Sequence, residues 1–90
     1  MMYEYMTLND ETSIFHSELK ERNGQQFVEV QFEKSREEGG FYSARAELPS
    51  YKWIFNEYFS KDELDFFVEW LSHNAHTIFK YAACGGIQIA

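Results

Sequence analysis

The pair Asn23-Gly24 constrains this chain more than any other two residues. It is the preferred pair for a two-residue type I′ turn, whose backbone needs the left-handed region at both positions. The residues on either side alternate between apolar and polar, as strands with one buried face do. Taken literally, the turn sets Arg22 opposite Gln25, Leu19 opposite Val28, Ser17 opposite Val30 and Phe15 opposite Phe32. Those residues share one side of a sheet and nearly all are apolar. Turn chemistry and hydrophobic pattern therefore specify the same hairpin.

Polar, turn-like clusters at Asn9-Asp10-Glu11, at Glu21 to Gly24 and at Ser35 to Gly40 divide the first half into further strands. A third strand from Phe41 to Leu48 places Tyr42, Ala44, Ala46 and Leu48 on one face. Two registers against the second strand remain. One sets Phe32 opposite Tyr42 and Glu29 opposite Arg45; the other sets Glu29 opposite Glu47, a like-charge pair. The first is expected, with Ala44 and Ala46 as a shallow floor for a helix. An earlier strand over Tyr3 to Leu8 turns Tyr3 and Tyr5 inward, and Pro49 ends the third strand because it has no amide to give a ladder.

The helix signal is the clearest. Ser60 and Glu63 form a capping box, and Phe59 and Leu64 occupy the positions of a hydrophobic staple. Asp62, Glu63 and Asp65 load the first turns with negative charge; His73, His76 and Lys80 lie toward the other end, as the helix dipole favours. Leu64, Phe67, Leu71, Ala75, Ile78 and Ala82 make the apolar stripe, with Trp70 and Phe79 beside it. Asn74 is the one weak position inside, a candidate kink. Gly85-Gly86 ends the helix.

The expectation is α+β: a three- to four-stranded antiparallel β-meander with one long C-terminal α-helix packed on one face, in a single domain over 1–90. Strands fall at about 2–8, 12–20, 26–34 and 41–49, an aromatic connection at 50–59 and the helix at about 61–83. Ile87 to Ala90 alternates and is a candidate extra strand at a sheet edge.

A chain of ninety residues has little core to spare, and its 19% aromatic content compensates. Cys84 is the only cysteine, so no disulfide staples the fold and a reducing compartment is expected. The first residues lack the basic start and apolar stretch of a signal peptide, and no apolar run is long enough to span a bilayer. The expected location is cytoplasmic. A net charge of −7 disfavours nucleic acid and anionic membranes as partners. It suits either a basic partner or simple solubility.

Catalytic motifs are lacking. His73 and His76 share a helix face, but no carboxylate falls at metalloprotease spacing and no second cysteine exists, so no metal or cofactor is expected. Cys84 lies at a helix C-terminus, where the dipole raises a thiol pKa instead of activating it; a small buried or half-buried apolar role is expected. Pairs such as Glu37-Glu38 and Asp62-Glu63 read as solvated charge. Neither Gly-Gly pair has phosphate-loop spacing. Glu18, Glu29 and Arg45 form a row on the face away from the helix, with His16, Gln31, Ser43, Phe27 and Phe41 around it. That is a flat mixed surface able to meet a partner or simply solvent.

One segment stands apart. Tyr51, Trp53, Phe55, Tyr58 and Phe59 put five rings in nine residues, too many to fit beneath one helix on a small sheet. Phe59 belongs to the staple. Trp53 and Phe55 alternate as an edge strand would. Tyr51, Trp53, Phe55 and Tyr58 are the candidate partner-binding residues, because exposed Tyr and Trp are enriched at binding hot spots. The function expected is a small non-catalytic protein-interaction module, binding a protein partner or a second copy of itself through 51–59. The alternative is a small-molecule binder with an aromatic-lined groove between helix and sheet, which requires an apolar cavity of about 300 Å³ or more.

Overall fold

The computed structural model describes residues 2–84. Gly85-Gly86 and the expected tail strand at 87–90 lie outside the described residues. Six strands precede one helix: β1 (Met2–Thr7), β2 (Ser13–Ser17), β3 (Lys20–Arg22), β4 (Gln25–Ser35), β5 (Phe41–Leu48), β6 (Lys52–Glu57) and α1 (Lys61–Ala83). The sheet is antiparallel throughout, in the order β1-β2-β4-β5-β6, with β3 also paired to β4. The class is α+β, but the three to four strands expected become six. Two causes account for this: the strand expected at 12–20 is broken into β2 and β3, and the aromatic connection contains β6.

The turn forms as its residues dictate. Asn23 and Gly24 have φ of 52° and 79°, and Arg22 faces Gln25. Beyond Lys20 the register slips by one residue. His16, not Ser17, faces Val30, and Ile14, not Phe15, faces Phe32. The slip turns Ile14 and His16 into the core and leaves Phe15 half-buried on the opposite face, against expectation for both His16 and Phe15. Its cause is hydrogen bonding that local patterning does not show. Ser17 Oγ accepts the Glu29 amide at 2.9 Å and donates to the Glu18 carbonyl at 2.8 Å. The Leu19 amide leaves the sheet and donates to the Ala82 carbonyl in the last turn of α1 at 3.2 Å. The break thus leaves these groups satisfied and ties the sheet to the helix C-terminus.

The β4–β5 register is not the expected one: Glu29 faces Glu47, Gln31 faces Arg45 and Val28 faces Leu48. Each carboxylate has its own cation. Lys20 Nζ reaches Glu29 at 3.1 Å, Arg45 reaches it diagonally at 3.5 Å, and Arg22 reaches Glu47 at 3.2 Å. With the repulsion neutralised from β3 and β5, burying Leu48 completely beside Val28 decides the register. Burial of a leucine side chain is worth about 1.5–3 kcal/mol, more than the like-charge penalty.

Helix α1 covers the face bearing Ile14, Val28, Val30, Phe32, Ala44, Ala46 and Leu48 with Phe67, Leu71, Ile78 and Ala82. Phe67 stacks on Phe32 at 4.2 Å between centroids, while Phe59 and Trp70 meet these rings edge-on. Both halves of the capping box are present, and Phe59 is buried as its staple role requires. The helix runs unbroken through Asn74. The Asn74 side-chain amide donates to the Trp70 carbonyl at 2.9 Å and its oxygen accepts the Tyr5 hydroxyl at 3.4 Å. Among the described residues no helix is long and apolar enough to cross a membrane.

Candidate functional site

Among the described residues β6 is the last strand of the sheet, hydrogen-bonded to β5 along one edge only. Its start is fixed by the turn from β5. The Tyr51 amide donates to the Glu47 carbonyl at 2.8 Å, Ser50 Oγ donates to the Glu47 carboxylate at 3.2 Å, and the Lys52 amide donates to Ser50 Oγ at 3.3 Å. Its end is fixed by Asn56, whose side chain accepts the Phe59 amide at 3.2 Å and donates to the Phe59 carbonyl at 3.0 Å. That clamp carries Phe59 inward. Tyr51 and Tyr58, at the two ends, both have positive φ, 61° and 78°. Left-handed backbone at a bulky residue costs on the order of 1–3 kcal/mol and is retained only where the surroundings impose it.

Within the strand, Ile54 is an extra residue: Trp53 faces Ala46 and Phe55 faces Arg45, so Ile54 forms a bulge. The four candidate rings consequently divide. Tyr51 and Trp53 are half-buried against the core, Trp53 with its centroid 6.0 Å from that of Phe32. Phe55 lies on the open face of the sheet, 37% exposed, with the Arg45 guanidinium 5.6 Å from its ring. Tyr58 is 65% exposed, and Arg36 stacks over it at 3.8 Å. Ile54, 44% exposed, is the apolar edge residue that sequence reasoning missed. Alternation places it between two rings without assigning it a face, and the bulge that exposes it leaves no mark in the sequence.

The open face of the sheet carries the expected polar row in altered composition. Arg45 donates to Gln31 Oε1 through Nε at 2.8 Å and through Nη2, and it also approaches Glu29. His16 is absent from this face. It is fully buried on the helix side, between Tyr3 and Tyr5, with Nδ1 2.8 Å from the Ser17 carbonyl.

The remaining candidates stay apart. His73 and His76 are exposed, and among the described residues no three His, Cys, Asp or Glu side chains come together to hold a metal. Cys84 is the helix C-cap and is exposed, not buried or half-buried as expected. A cleft of about 410 Å³ at the end of the β3–β4 hairpin is lined by Arg22, Gln25, Phe27, Glu47, Pro49 and Ser50. Another of about 700 Å³ is lined mainly by Glu11, Lys34, Glu37, Glu38, Tyr42 and Glu63, carboxylates where a ligand groove would need rings. No protein-family model matches this chain, and neither a curated protein nor a solved structure does.

Proposed function

We propose that this chain is a small non-catalytic interaction module, working in the cytoplasm, that engages a protein partner through the outward edge of β6 and the residues flanking it. One observation supports the reading above others: Ile54, Phe55 and Tyr58 are exposed along a strand with no neighbour on its outer edge among the described residues. An unpaired edge offers main-chain donors and acceptors to an incoming strand, and side chains beside it supply specificity. Edges without such a role are usually blunted by charge, proline, a covering loop or a bulge, and β6 has the bulge at Ile54 and charge only at its two ends. Here the exposed middle of the edge is apolar. The tyrosines held in left-handed backbone at both ends fit a segment whose shape matters beyond packing. The lone cysteine agrees with a reducing compartment.

Matched columns bearing the wild-type chain or the Ile54→Lys variant provide the test, each challenged with cell lysate and with the purified chain. The wild-type column should retain a discrete protein that the variant releases, while circular dichroism shows both folded. Identical retention on the two columns would remove the edge from the account.

A further inference from the structure

We infer that the partner of the β6 edge is a second copy of the same chain, joined as an antiparallel β6–β6 pair about a two-fold axis between Ile54 and Phe55. The inference rests on the reading of β6 as an interaction edge and adds its occupant and register. A two-fold that joins two sheets edge to edge stands perpendicular to them, so residues facing each other across it must lie on the same face. In a regular strand, residues five apart lie on opposite faces, and Lys52 could not face Glu57 of the other copy. The bulge at Ile54 changes this. Lys52 faces Glu47 and Glu57 faces Ser43, two residues four apart on β5, so Lys52 and Glu57 share one face. The register Lys52 to Glu57, Trp53 to Asn56 and Ile54 to Phe55 is therefore open to two copies of this strand.

That register is complementary at each position where charge or apolar surface is exposed. Lys52 and Glu57 are both exposed, and neither makes an ion pair among the described residues. Across the axis each would meet the other's opposite, giving two identical ion pairs at the ends. At the centre Ile54 and Phe55 would cover one another, removing two exposed apolar side chains per copy from water. The bulge also selects the partner. It twists the edge away from an ordinary strand, whereas a second copy brings the same twist by identity. The net charge of −7 opposes approach at long range, but β6 itself carries one charge of each sign, so the edge is locally neutral.

Charge exchange tests the register, with sedimentation velocity and native mass spectrometry as readouts and thermal melts as the folding control. Wild type should dimerise with rising concentration. Lys52→Glu alone and Glu57→Lys alone should each be monomeric, since each sets like charges opposite one another at both ends. The double exchange Lys52→Glu/Glu57→Lys should restore the dimer. An equimolar mixture of the two single variants should form a heterodimer, because an ion pair reappears at each end, one with wild-type polarity and one reversed. A wild type that stays monomeric at every concentration overturns the inference, and the interaction reading survives that result if the wild-type column still retains a different protein. A dimer indifferent to all three variants places the contact elsewhere and overturns the register.

Discussion

Both edges of the sheet carry a one-residue bulge, and the two extra residues meet opposite fates. At β1 the extra residue is Tyr5, between Glu4 and Met6. Its ring turns in to Trp70 at 5.8 Å and Tyr81 at 6.1 Å between centroids, and its hydroxyl reaches Asn74. At β6 the extra residue is Ile54, which is left 44% exposed. A bulge re-aims a side chain, and what lies on that side determines the use made of it. Helix α1 supplies rings beside β1, so that edge is fastened from within. Burial and the neighbouring Tyr81 hold the Tyr5 hydroxyl above its ordinary pKa, as a fastened residue should show. Ile54 lies outside the buried core of the described residues.

The sharpest way to break the comparison is to truncate both bulged residues. Tyr5→Ala should cost about 3 kcal/mol in urea unfolding, since it removes a ring packed on three others and the Asn74 hydrogen bond. Truncating Ile54 to alanine should change the same quantity by less than about 0.5 kcal/mol at concentrations dilute enough to keep the chain monomeric. Equal losses at the two sites would show that both edges are closed. Trp53→Ala falls between them, at about 2 kcal/mol, because that ring is half-buried against Phe32. A near-zero cost there would move Trp53 from the packed side of β6 to its open side.

The smallest expected effect is electrostatic and lies beyond the β1 end. Burial pulls Asp10 upward, but the Thr12 amide at 3.0 Å and Lys34 at 3.7 Å outweigh it and hold the carboxyl below its ordinary range. A depressed folded-state pKa gives stability that is present above the unfolded value, about 3.9, and is lost as pH falls through the folded one. The pair is largely exposed, so solvent screening limits the gain to a few tenths of a kcal/mol. Asp10→Asn should unfold slightly earlier than wild type at pH 6, and the gap should close by pH 2. A gap that persists at pH 2 would assign it to shape instead of charge.

Legibility in the sequence followed the range of the interactions. Helix α1 runs from 61 to 83 as expected, because its cap, staple and stripe are local. The Asn23-Gly24 turn is equally local. The slip between β2 and β3 was not legible: it depends on a carbonyl at Ala82, brought to Leu19 only by the tertiary fold. The β4–β5 register failed for a related reason, since Lys20 and Arg22 reach in from a third strand to neutralise Glu29 and Glu47. In the candidate site, the exposure of Tyr58 was legible from the crowding of rings, whereas that of Phe55 was not. Ile54 was not, because bulges follow strand pairing. The strand showed only as the alternation of Trp53 and Phe55; its bounds were obscured by turns built on Tyr51 and Tyr58, where glycine or asparagine would ordinarily signal left-handed backbone.

Amide hydrogen exchange on dilute and concentrated samples of the wild-type chain, resolved to the individual strands, compares the two edges directly. The account predicts that β6 exchanges quickly when dilute and becomes protected as concentration rises, while β1 is protected equally in both. Concentration-dependent protection at β1, or none at β6, would contradict it.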